Sequence, residues 1–202
     1  MKNWSIAGRH FAAPPPADWR QRLATRLGER PRRLGPWVEL ALYGALNCLE
    51  DAGETRLPDA ALLTLATLHG PDIALRASLA DTRDGLPLPI GFLTSQPGQV
   101  LPALARVLDW HGDGRCLGTR DPVATLQQAL IEAGPAGLLA GWVDEDAPGR
   151  SLWLRLRPGG PEGMPPPFRP APFDALAAPS VTHLAMVDGR LFIASQDPAH
   201  GR

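Results

Sequence analysis

The chain is short of cysteine, has no long apolar run and carries no excess of charge of either sign, and each lack removes a class of protein. Two cysteines in 202 residues, Cys48 and Cys116, are too few for a disulfide framework. Each sits inside an apolar periodic segment, the setting of a reduced core thiol in a cytoplasmic protein. No stretch approaches eighteen uninterrupted apolar residues, and the opening MKNWSIAGRHF lacks the apolar run of a signal peptide, so no membrane contact is expected. Twenty Lys and Arg against 21 Asp and Glu give a net charge of -1, without the basic block that would draw nucleic acid. The densest positive spot, Arg30, Arg32 and Arg33, reads first as a solvated helix entry and second as an anion or acyl-carrier contact. The five His and two Cys are scattered without paired spacing, so no metal site is expected, and Asp144-Glu145-Asp146 reads as a solvated strand end. There is no P-loop and no dinucleotide glycine pattern, and no cofactor is implied.

What the chain does have is alternation. Trp4 to Ala12 reads as a first strand ended by three prolines, and Asp18 to Leu27 as a modest helix that connects elements without entering the core. Gly35-Pro36 opens a stronger helix, Trp37 to Ala52, with Val38, Ala41, Leu42, Ala45 and Leu49 on one face. Ala60 to Leu68 is nearly continuous in apolar residues, as in a central strand covered on both faces. A short helix over Ile73 to Asp81 follows, then an extended loop over Leu86 to Pro89 and an amphipathic helix with Val100, Leu104, Val107 and Leu108. Gly137 to Val143 is a second buried strand, while Ser151 to Arg157 alternates Leu with Trp and Arg, like a strand near an edge. Beyond the Pro/Gly-rich stretch, Val181 to Met186 and Arg190 to Ala194 flank Val187-Asp188-Gly189, a hairpin signal. The pattern predicts an α/β fold: a mixed, mainly parallel sheet with helices on both faces and a late antiparallel hairpin.

One stretch organises this pattern, RCLGTRDPVATLQQAL from Arg115 to Leu130. Cys116 and Leu117 end a short strand, Gly118 and Thr119 turn the chain, and Asp121-Pro122 starts a helix whose Val123, Leu126, Leu130 and Ala133 form one apolar stripe. Such a strand-turn-helix corner can hold a nucleophile at the positive end of the helix. Here it carries Gly118, Thr119, Arg120 and Asp121, none of them an activated nucleophile by type.

The order of these segments resembles the amino-terminal half of a β-ketoacyl synthase, a condensing enzyme of the thiolase-like fold. The resemblance rests on WVELALYGALNCLEDAG, LATLHGP, LPLPIGFLTSQPGQVLPALARVLDWHG, the corner itself and GLLAGWVDED, and covers residues 1–157. More narrowly, the chain is similar to the short stand-alone ketosynthase-like proteins found with aryl polyene and related polyketide or fatty-acid pathways. The resemblance implies a three-layer half fold over 1–157, followed by a Pro/Gly-rich segment at 158–180 and a hairpin and tail at 181–202 packed on the same domain.

The resemblance also implies lost activity. The family's nucleophilic Cys maps to Thr119, or to Gly118 if the register shifts by one, and neither accepts an acyl group. The family's carboxy-terminal His residues have no counterpart here, since His183 and His200 lack the matching context. The expectation is a non-catalytic protein that associates with itself or with a full-length ketosynthase, with an acyl carrier protein as a further partner. In the family the strand before the nucleophile turn pairs across a two-fold axis, which makes Arg115, Cys116, Leu117, Gly118 and Thr119 the interface candidates. The alternative is a small acyltransferase or acyl-binding enzyme using Cys116, with His69 or His111 as its base.

Overall fold

The computed structural model describes residues 2–29, 31, 33–86, 89–146, 148–159, 169–170 and 173–195. Its strands are β1 (Lys2–Ala12), β2 (Leu62–Thr67), β3 (Gly114–Gly118), β4 (Leu138–Asp144), β5 (Arg150–Pro158), β6 (Arg169–Pro170), β7 (Val181–Val187) and β8 (Arg190–Ser195). Its helices are α1 (Trp19–Leu27), α2 (Pro36–Asp51), α3 (Asp72–Arg83), α4 (Pro89–Thr94), α5 (Val100–Val107) and α6 (Pro122–Glu132). Among the described residues the strands form one mixed sheet in the order β3-β2-β4-β5-β1-β7-β8-β6. Parallel pairing is confined to β2 with β3 and β2 with β4, and the other neighbours run antiparallel. The parallel share is thus smaller than the sequence suggests. Among strands that end as neighbours, helical crossovers link β2 to β3, and α6 lies between β3 and β4, while α1 and α2 carry the chain from β1 to β2 without making the two adjacent; β4 to β5 and β7 to β8 are short reversals, which permit only antiparallel neighbours.

Helices cover both faces. On one, α2 buries eleven of its sixteen residues and packs with α1 and α5 over Leu63, Leu65, Leu139, Val143 and Trp153. The approach of α2 to the sheet is close enough that a Cβ at Gly44 would overlap the Ser151 and Trp153 side chains, and one at Gly8 would overlap the Cys48 carbonyl. Those two positions exclude any side chain. On the other face, Leu126, Ala129 and Leu130 of α6 join Trp4, Leu62, Leu138 and Leu154. The hairpin closes this second cluster with Leu184, Met186 and Leu191. Its turn is built as Asp-Gly allows, with Asp188 at φ 48° and Gly189 at φ 75°.

Three expectations change. β5 is central, between β4 and β1, and six of its nine residues are buried, Trp153 and Arg155 among them; a buried ion pair, described below, is what admits the arginine. α1 enters the core through Leu23, which is 2% exposed. The loop expected over Leu86 to Pro89 lies partly outside the described residues, and its Pro89 opens α4, since a first helical position needs no amide donor. Residues 160–168, 171 and 172 of the Pro/Gly-rich segment lie outside the described residues, as do Arg30, Arg32 and His200.

Candidate functional site

β2, β3 and β4 deliver Thr67, Gly118 and Asp144 to one end of the parallel part of the sheet. In α/β folds the carboxyl ends of parallel strands are where ligands usually sit. Asp144 is 2% exposed, and its Oδ1 accepts from Thr67 Oγ1 (2.7 Å), Leu68 N (2.8 Å) and His69 N (3.1 Å). Thr67 Oγ1 in turn accepts from Gly70 N at 2.7 Å. The neighbouring Glu145 Oε1 accepts from Ile73 N at 2.7 Å, at the start of α3. Burial pushes the Glu145 carboxyl up, against the hydrogen bonds from Ile73 and Ala74 that favour its charged form. The acidic turn is therefore not the solvated strand end that the sequence suggested. Its first two carboxylates satisfy backbone donors that would otherwise be left open where β2 passes into α3.

Asp146 lies outside this network and meets His69, with Nδ1 to Oδ2 at 3.4 Å. His69, Asp144 and Asp146 each bring one ligand atom within 4.8 Å of the others, the one such group among the described residues. Asp144 Oδ1 is already taken by three donors.

The corner after β3 forms as its sequence predicts. Thr119 N donates to Thr67 O at 2.8 Å, Thr119 Oγ1 accepts from Asp121 N at 2.9 Å, and Asp121 Oδ1 accepts from Ala124 N at 2.9 Å. Pro122 at the first position of α6 has no amide to offer. The cap thus occupies donors that an oxyanion would need, and the Thr119 hydroxyl is held in a local turn. Gly118, Thr119, Arg120, Leu68 and His69 line one open hollow, so His69 does share a cavity with Thr119 and Gly118. His111 does not; it sits beside Asp59.

Cys116 is half-buried and packs against the core on the α5 side of the sheet. Burial pushes its thiol up to about 11, and burial raises Cys48 as well. Arg115, its neighbour, cannot lower that value. Successive strand residues point to opposite faces, and Arg115 is engaged by Glu132 of α6 and by Asp113. Alkylation by iodoacetamide at pH 7.5, followed by intact mass, is expected to modify Cys116 roughly a hundredfold more slowly than an exposed cysteine, with a rate that climbs about tenfold per pH unit as thiolate forms. A rapid single adduct at neutral pH would reverse this reading.

Two surface features stand out, of which the sequence points to the second, the strand Arg115 to Thr119, and not to the first. No residue of α3 or α4 is buried, yet the pair presents Ile73, Leu75, Leu79, Ile90, Phe92 and Leu93, each between 43% and 60% exposed. β3 is the outermost strand on its side of the sheet, and Leu117 at its end is 41% exposed.

These features belong to an α/β protein with the thiolase-like ketosynthase fold. No family model and no curated protein sequence matches the chain, but solved structures do. A chain of the ishigamide ketosynthase/chain length factor superposes with a TM-score of 0.61 at 13% identity, over 78% of this chain and 58% of that one. A chain of the complex between the ketosynthase ApeO and its chain length factor ApeC, from Xenorhabdus doucetiae, superposes with a TM-score of 0.58 at 16% identity, over 96% of this chain and 99% of that one. A chain of AntDE:AntF, a type II polyketide synthase acyl-carrier protein in complex with its ketosynthase, gives 0.52 at 10% identity over 78% and 63%. This chain therefore spans about three fifths of the first and third of these, and the second matches it end to end.

Proposed function

We propose that this chain is a non-catalytic, cytoplasmic ketosynthase-like subunit that acts by pairing with a full-length ketosynthase in fatty-acid or polyketide biosynthesis of the aryl polyene type. The observation that carries this reading is the unpartnered edge of β3 together with the apolar face of α3 and α4. An outer strand with open donors and acceptors is a template for another chain, and clustered exposed leucine, isoleucine and phenylalanine on a soluble domain marks a docking surface. Arg115 to Thr119 supply the edge, and the turn after Leu68 leads straight from the adjacent strand into α3.

A ketosynthase is favoured over a second copy because the end-to-end structural match is to a chain of a ketosynthase and chain length factor complex. The Asp121 cap, the turn-bound Thr119 and the high thiol of Cys116 support the non-catalytic half of the reading. An acyl carrier protein would then meet the pair through the active partner. The test is co-expression with the ketosynthase of the same pathway, with the mass read by light scattering. A one-to-one heterodimer is expected, along with no condensation by this chain alone. A monomer at every ratio, or an acyl adduct on the isolated chain, would contradict the proposal.

A further inference from the structure

Away from the corner, a groove of about 370 Å³, open to solvent, runs between the start of α2, the end of α4 and α5. Leu34, Val38, Leu93 and Pro102 give it an apolar wall, and Arg33 and Arg106 stand on its rim. No Asp or Glu lines it, and neither arginine has a carboxylate partner among the described residues. Arg20, Arg22, Arg26, Arg56, Arg76, Arg115, Arg155 and Arg157 are so paired; Arg9, Arg83, Arg120, Arg150 and Arg190 are not, and what sets Arg33 and Arg106 apart is that they line one recess with an apolar wall. A tight bend with Arg33 at φ 64° brings the first of the two to the groove. Gly35 at the start of α2 also borders the groove, but the Trp37 amide beside it already serves the Glu145 carboxylate, so the positive charge of the groove comes from the two arginines.

We infer that this groove binds a soluble phosphate ester with an apolar arm, the phosphate between Arg33 and Arg106 and the arm along Leu34, Leu93 and Pro102. Phosphate fits better than carboxylate on chemical grounds. One guanidinium fork saturates the two oxygens of a carboxylate, whereas a phosphate has oxygens for both arginines at once. A membrane surface fits less well, because the net charge of the chain is -1 and the site is a recess. The inference does not rest on the pairing with a ketosynthase, and either can fail without the other.

The probe is n-octyl phosphate below its critical micelle concentration, titrated calorimetrically into the full chain. Saturable one-to-one binding is expected, at least tenfold tighter than that of inorganic phosphate, with no binding of octyl glucoside. The double variant Arg33→Ala/Arg106→Ala is expected to weaken octyl phosphate at least tenfold, and Leu93→Ser to weaken octyl phosphate without changing inorganic phosphate. All three residues are exposed, so the variants keep the wild-type melting temperature. Undiminished binding in the double variant, no binding at millimolar octyl phosphate, or equal affinity for inorganic phosphate would overturn the inference. So would arginine-dependent capture by phosphatidate vesicles with no binding of the soluble ester.

Discussion

Replacing Leu79 and Phe92 together by aspartate is expected to abolish capture of the ketosynthase partner while leaving the isolated chain as stable as before. The two parts of that result have one cause. In the free chain Leu79 is 52% and Phe92 60% exposed, and the helices that carry them have no buried residue, so a carboxylate there stays hydrated and the melting temperature holds within a degree or two. In the proposed complex the same side chains leave water. Burying a Leu or Phe side chain contributes about 1.5–3 kcal/mol, and an unpaired carboxylate in that place adds a desolvation penalty. A combined loss of at least about 4 kcal/mol corresponds to roughly a thousandfold in Kd. A control at Glu50 on the far end of α2, reversed to lysine, is expected to leave capture unchanged. If L79D/F92D binds the ketosynthase like the unaltered chain, α3 and α4 are not part of the docking face. A loss of binding for the edge variant Leu117→Pro alone would then confine the contact to β3.

The sequence carried local features well and distant ones poorly. Asp121, Pro122 and the stripe from Val123 to Leu130 specify the corner within sixteen residues, and the cap bond to Ala124 forms as the spacing demands. Asp188-Gly189 likewise writes its own turn. Ser151 to Arg157 reads as an edge strand because its arginines look like a wet face, and their partner, Glu54, lies about a hundred residues away in the chain. The acidic turn is illegible for the same reason: the donors that bond Asp144 come from residues 67–69, more than seventy positions upstream. Apolar residues on α3 and α4 follow no signal that separates a core-facing stripe from a partner-facing one. Arg33 and Arg106 meet across a groove only after α2 and α5 have packed.

Arg155 sets the second large effect. It is 2% exposed in the middle of the sheet, where its Nε donates to Glu54 Oε2 at 2.8 Å and its terminal nitrogens to the carbonyls of Leu156 (3.1 Å) and Ala136 (3.0 Å). Arg157 holds the other carboxylate oxygen at 2.7 Å. Arg155→Ala removes the central cation, opens a cavity and takes one donor away from each of the carbonyls of Leu138, Leu156 and Ala136 and from one oxygen of the Glu54 carboxylate. Breaking a buried pair on one side costs about 3–5 kcal/mol, which for a chain of this size lowers the melting temperature by roughly 10 °C. Replacing both partners, as in Glu54→Gln with Arg155→Met, is expected to recover much of that loss, because the charge left unpaired is that of Arg157, which is half exposed and stays hydrated.

The same pair predicts an acid limb. Partial burial pushes the Glu54 carboxyl up, but the hydrogen bonds and charges of Arg155 and Arg157 outweigh it, and the net shift is downward from 4.5. A depressed carboxylate stabilises the fold fully above its unfolded value, and that stability is lost as pH falls through the folded value. Denaturation midpoints in urea are therefore expected to hold from pH 7 to about pH 5 and to fall steeply below about 4.5, with a shallower fall in Glu54→Gln. Parallel slopes for the two proteins would mean that the arginines hold Glu54 no more firmly in the folded sheet than in the open chain.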